Sequence, residues 1–131
     1  MRRLKVVFAG AIVISALAFV LACGSSGEGG REVAITQGQD GCTPTSVVAQ
    51  TGEKLNFVVT NESDKEPYEL EGEGGAELEE IIVPEGKTRE VGFDVPGEPG
   101  TYEIKCYVPG DVETIIEVKV NAPGATEDSG Y

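Results

Sequence analysis

Pro99-Gly100-Thr101-Tyr102-Glu103-Ile104-Lys105-Cys106-Tyr107-Val108-Pro109-Gly110-Asp111 is the stretch on which the reading of this chain turns. Tyr102, Ile104, Cys106 and Val108 alternate with Thr101, Glu103, Lys105 and Tyr107, and a period of two puts the first set on the buried face of a β-strand. Proline and glycine at both ends preset one φ and tolerate a positive one, as turns require. The same alternation recurs at Leu55, Phe57 and Val59, at Val91, Phe93 and Val95, and at Thr114, Ile116, Val118 and Val120. These runs predict half-buried antiparallel strands. Shorter strands are expected at Glu32–Thr36, Ser46–Ala49 and Tyr68–Leu70, while Ala76–Val83 fits a strand or a single helical turn. Breakers fall at Asn61-Glu62-Ser63-Asp64, Pro84-Glu85-Gly86-Lys87 and Pro96-Gly97-Glu98-Pro99-Gly100. About seven to eight short strands with turns between them predict an all-β sandwich. Its core is expected from Phe57, Val59, Phe93, Tyr102, Ile104, Ile116 and Val118.

Upstream of this domain the chain opens with Arg2, Arg3 and Lys5, then an apolar run from Val6 to Leu21, then Ala22-Cys23. A basic start, a short apolar stretch and a small residue before the cleavage point make a secretory signal, and the run is short for a membrane span of about 20 residues. Val20-Leu21-Ala22-Cys23 resembles the lipobox of bacterial lipoproteins, which implies cleavage before Cys23 and acylation of its sulfur. Two acyl chains suffice for durable anchoring. The expected organisation is a lipoprotein signal peptide over 1–22, a lipidated Cys23 and flexible tether over 23–31, the folded domain over 32–121 and a disordered tail over 122–131. The implied location is the extracytoplasmic face of the cell membrane, with the lipid as membrane partner.

The 23 acidic residues all follow the leader and face only seven basic ones there, a side-chain net charge of −16. Such a surface repels phosphates, which excludes nucleic acid as a partner, and it attracts cations over about 8 to 10 Å. The acidic run from Glu69 to Glu80 lacks the Asp/Asn and Gly spacing of a calcium loop and reads as a solvated hairpin or a diffuse cation-attracting rim. With Cys23 assigned to lipid, Cys42 and Cys106 remain as an even pair in an oxidising compartment, and one disulfide between them is the default. Asn61-Glu62-Ser63 matches a glycosylation acceptor by its letters and reads as a turn. The chain has no histidine, so Ser-His and Cys-His dyads are excluded, and no nucleophile elbow or phosphate-cradling loop is present. An enzyme is not expected.

Several segments, in order, resemble one family. Gly41-Cys42-Thr43-Pro44, Gly52-Glu53-Lys54-Leu55-Asn56-Phe57-Val58-Val59-Thr60-Asn61, Tyr68-Glu69-Leu70, Val83-Pro84-Glu85-Gly86, Pro99 through Cys106 and the final Val118-Lys119-Val120 are together similar to the cupredoxins. The resemblance is greatest to the small cupredoxin-like domain of Efe-type periplasmic iron-uptake lipoproteins, and it spans Ile35 to Val120. It implies a Greek-key sandwich. A copper-carrying cupredoxin needs two imidazoles, a thiolate and a weak axial thioether. Of these only Cys106 is present: Asp111 stands where that pattern carries its C-terminal His, Glu66 and Pro67 stand near the other, and Met1 is the sole methionine. The pattern also places Cys42 to capture Cys106.

The Efe-type relatives point instead to a carboxylate metal site, since hard cations prefer oxygen donors. Glu66, Glu69, Asp111 and Glu113 are the residues expected to converge at one end of the sandwich, with an iron or copper ion as the candidate cofactor. No cofactor follows from the residues with certainty. Two functions are open at this point. One is a monomeric, membrane-anchored binding module without type 1 copper that handles iron or another metal, alone or with a permease. The other is a structural or interaction lipoprotein of the cell envelope with no metal.

Overall fold

Apolar side chains at every second position fold the chain into nine strands in a computed structural model, which describes residues 30–124. The leader, Cys23, most of the tether and the tail from residue 125 lie outside the described residues. The strands are β1 (Arg31–Gly38), β2 (Gly41–Thr43), β3 (Ser46–Gln50), β4 (Lys54–Asn61), β5 (Tyr68–Glu73), β6 (Ile81–Val83), β7 (Thr88–Asp94), β8 (Gly100–Tyr107) and β9 (Glu113–Asn121). They form two sheets, one ordered β2-β1-β4-β7 and the other β3-β9-β8-β5-β6. All-β architecture and the four long strands follow the alternation in the sequence. β1 begins at Arg31, the last residue of the expected tether.

Not all pairs are antiparallel. β1 runs parallel to β4, with Arg31 through Gln37 opposite Leu55 through Asn61, and β3 runs parallel to β9. The chain crosses to the second sheet at β3 and returns at β4, so β4 comes back beside β1 pointing the same way. Period two reports which face is buried and carries no direction. β2 is three residues long, too short to show an alternation. Of Ala76–Val83, only Ile81–Val83 is strand, and it pairs with Tyr68–Leu70 to make the expected acidic hairpin. The connection from Glu73 to Leu78 folds tightly against β5: a Cβ on Gly72 would fall 2.0 Å from the Ala76 carbonyl oxygen. Only glycine allows that approach.

Phe57 and Phe93 stack at the centre with ring centroids 5.9 Å apart, inside a core of Ile35, Leu55, Val59, Leu70, Ile104, Ile116 and Val118. Six of the seven expected core residues are fully enclosed. Tyr102 is only partly buried, because it sits at the margin and its hydroxyl donates to the Glu98 carbonyl at 2.9 Å. Tyr68, outside that expectation, is the largest fully buried side chain. On the outer face of the five-stranded sheet, Glu73, Glu103 and Glu117 lie directly opposite one another in one cross-strand row.

Replacing Phe57 by Ala should lower stability by about 3–5 kcal/mol, since the site cannot collapse around so large a loss. Val48, 44% exposed, should tolerate Ala within about 0.5 kcal/mol. Guanidinium unfolding of both variants checks the contrast.

Candidate functional site

The end of the sandwich opposite Arg31 gathers the unusual chemistry. Val33, Ile35 and Gln37 point inward along β1, and Gln37 lies in register with Cys42 on β2 and Asn61 on β4. Facing this row from the second sheet are Cys106 on β8 and Tyr68 on β5. Cys42 and Cys106 are joined in a disulfide, with Cα atoms 6.3 Å apart and 64 positions between them in sequence. The bond therefore links the two sheets.

Around it the buried polar groups are satisfied by closely specified partners. Asn61 donates through Nδ2 to the Lys65 and Val83 carbonyls at 2.9 and 3.1 Å, while its Oδ1 accepts from the Ser63 amide and hydroxyl. That residue holds the turn after β4, and its amide is spent, so Asn61-Glu62-Ser63 is a turn and not an accessible acceptor. Tyr68 donates its hydroxyl to the Gly38 carbonyl at 3.0 Å, across from one sheet to the other. Burial, with the Asp111 charge adding to it, pushes the Tyr68 phenol up from its ordinary pKa. Gln37 is the exception. It is fully buried, its Nε2 lies 3.8 Å from Cys106 Sγ, and its Oε1 has no hydrogen-bond partner. Alternation through Val33 and Ile35 could have flagged Gln37 as an inward polar residue, and Tyr68 and Leu70 show the same signal.

The four carboxylates singled out in the sequence lie near this end, but each has a separate partner. Asp111 is ion-paired with Lys65, and the hydrogen bond it accepts, with its charge adding to it, holds the Lys65 ammonium above its ordinary pKa. Glu66 accepts from the Glu85 amide at 3.3 Å. Glu113 lies 3.6 Å from Lys105, whose Nζ also sits 4.2 Å above the Tyr107 ring. Glu69 is on the far side of that ring, because Glu69, Tyr107 and Glu113 occupy one row on β5, β8 and β9. Two strand spacings separate Glu69 from Glu113 by about 10 Å of backbone, with the Tyr107 ring between them, whereas ligands of one hard cation must all come within about 2.6 Å of it. Among the described residues, no group of three or more His, Cys, Asp or Glu side chains is arranged to hold a metal ion.

The family described as Cupredoxin-like domain matches residues 11–118. This chain belongs to it. No curated protein matches the chain in sequence. Among solved structures, auracyanin A, a "blue" copper protein of Chloroflexus aurantiacus, superposes with a TM-score of 0.58 at 20% identity, over 71% of this chain and 100% of its own. The dithionite-reduced auracyanin of Roseiflexus castenholzii gives 0.57 at 16% identity, over 71% and 99%. A copper-binding protein in its apo form gives 0.56 at 14%, over 72% and 90%. These likenesses are of fold.

The residues of this cupredoxin-like domain do not fit type 1 copper. The chain offers no imidazole, and the Cys106 sulfur, which would be the thiolate, is bonded to Cys42. Gln37, Asn61, Ser63 and Tyr68 complete a packed polar plug around that bond.

Beside the plug, Tyr107 is held in its neutral form. The hydrogen bond to the Glu69 carboxylate is the main cause, followed by burial and the charges of Glu69, Glu71 and Glu80, and together they raise its pKa far above the ordinary tyrosine value of about 10. Below that pH both folded and unfolded chains keep the proton. Above it the unfolded chain loses its proton first, so this group's share of stability falls as pH rises through the window between the two values. Ultraviolet titration should show one more tyrosine ionising near pH 10 in Glu69→Gln than in the wild-type chain.

Proposed function

We propose that this chain is a lipid-anchored, extracytoplasmic cupredoxin-like module that binds a protein partner of the cell envelope and does not carry electrons through copper. The observation that carries this reading is the disulfide at the position the family uses for its copper thiolate. A sulfur shared with Cys42 offers copper no thiolate, and no histidine is at hand to replace it.

The signal-like leader and Cys23 supply the anchor. β1 then leads away from the start of the domain: seven rises of about 3.3 Å each put Gly38, and with it the loops around Asp40, Asp64, Glu85 and Asp111, about 23 Å from Arg31. With the anchor ahead of Arg31, we read those loops as the end of the domain turned away from the membrane. The likeness of the sequence to Efe-type lipoproteins favours an envelope partner concerned with metal uptake, such as a permease. Iron or copper held by Glu66, Glu69, Asp111 and Glu113 is the weaker form of the proposal, because these side chains are engaged with Glu85, Tyr107, Lys65 and Lys105.

Two measurements test the proposal. The chain purified under air should show no free thiol at Cys42 or Cys106 and should develop no blue thiolate-to-copper absorption when titrated with Cu(II). A blue band, or two reactive thiols before reduction, would overturn it. In cells, Cys23→Ala should abolish fatty-acid incorporation and release the protein from the membrane fraction; unchanged membrane attachment would remove the anchoring half of the reading.

A further inference from the structure

Gln37 is the one incomplete member of the plug, and it touches the sulfur that matters most. Its amide lies against Cys106 with a donor, Nε2, at 3.8 Å from Sγ, and with an acceptor, Oε1, that has no partner. Buried acceptors are seldom left empty, and one beside a redox-capable group calls for a chemical reason. The two sulfurs also differ in setting. Cys106 is on β8, an interior strand of its sheet, and is fully enclosed. Cys42 is also buried, at 3% exposure, but it is on the short edge strand β2 and is one of the residues beside an open cleft of about 450 Å³, with Thr36, Gly38, Asp40, Thr45 and Thr114.

We propose that the Cys42–Cys106 bond is an exchangeable, redox-active disulfide, attacked at Cys42 by an external dithiol, with Gln37 assisting the departure of Cys106. The thiolate of the dithiol enters by the cleft and bonds to Cys42 Sγ. The Cys42–Cys106 bond breaks, and its electron pair leaves on Cys106 Sγ, where the Gln37 Nε2 hydrogen bond strengthens as negative charge develops. Cys106 then takes a proton. The second thiol of the reductant attacks the mixed disulfide, leaves as the oxidised cyclic or protein disulfide, and frees Cys42 as a thiol. Two electrons and two protons pass to this chain in all. In the dithiol form the Cys106 S–H is a new donor beside an amide that can turn its Oε1 to accept it. Reduction thus fills the acceptor that oxidation leaves empty, and Gln37 biases the pair towards the dithiol. This goes beyond partner binding, and it holds whether or not a partner docks on the loops.

The test uses the full chain carrying Cys23→Ala, so that only this pair is counted, equilibrated in mixtures of reduced and oxidised dithiothreitol and scored by thiol alkylation and mass. Wild-type Gln37 should allow reduction while circular dichroism remains native. Gln37→Leu, which removes both donor and acceptor, should need about a tenfold higher ratio of reduced to oxidised reagent, equivalent to about 30 mV. The oxidised Gln37→Leu protein should melt no lower than wild type, a result that general damage to the fold would not give. Gln37→Met carries the same expectations and serves if the branched side chain does not fit. Equal midpoint ratios in wild type and variant, or reduction of wild type only at its rate of global unfolding, would overturn the proposal.

Discussion

The bond between Cys42 on β2 and Cys106 on β8 ties a three-residue edge strand of one sheet to a central strand of the other. Without it, β2 would be held by its three register positions on β1 and by the hydrogen bond from the Cys42 amide to Thr114. Closing a loop of 64 positions removes chain entropy from the unfolded state worth about 4 kcal/mol on the simplest model, a large part of the 5–15 kcal/mol typical of a domain. The loops at this end inherit their places from that closure. Gln37 and Asn61 stand in the same row as Cys42, and Tyr68 reaches across to Gly38 on β1.

A metal centre and a disulfide solve the same problem in different ways. Both can hold a polar end of a sandwich together where apolar packing runs out, and in the copper pattern that the sequence resembles the position of Cys106 carries the thiolate. Copper would do so with a thiolate and imidazoles, leaving a one-electron couple; the disulfide does so with two sulfurs and leaves only two-electron chemistry. The change of partner for one atom therefore changes which reactions the domain can join, while the core of Phe57, Phe93 and their aliphatic neighbours is untouched.

The alternation at Leu55–Val59, Val91–Val95, Tyr102–Val108 and Thr114–Val120 made the sandwich legible, because burial of one sheet face has a direct signature in composition. The parallel pairings of β1 with β4 and β3 with β9 were not legible, since strand direction depends on where the chain crosses between sheets and leaves no mark on the pattern. Cysteine counting reached the disulfide. It could not reach Gln37, whose importance lies in a neighbour 69 positions away. The convergence expected of Glu66, Glu69, Asp111 and Glu113 rested on the resemblance to Efe-type domains and on the oxygen preference of hard cations; the cross-strand register sets Tyr107 between two of them, and an ion pair sets Lys65 against a third. The leader and Cys23 remain a matter of sequence, outside the described residues.

The row of Glu73, Glu103 and Glu117 has a cost that depends on the solvent. Three like charges at successive strand spacings of about 4.8 Å repel one another across the sheet, relieved at one end by Lys119, whose Nζ lies 3.9 Å from Glu117. Since added electrolyte shortens the reach of that repulsion to about 10 Å at 0.1 M and to about 3 Å at 1 M, brine should tighten this sheet where fresh water loosens it.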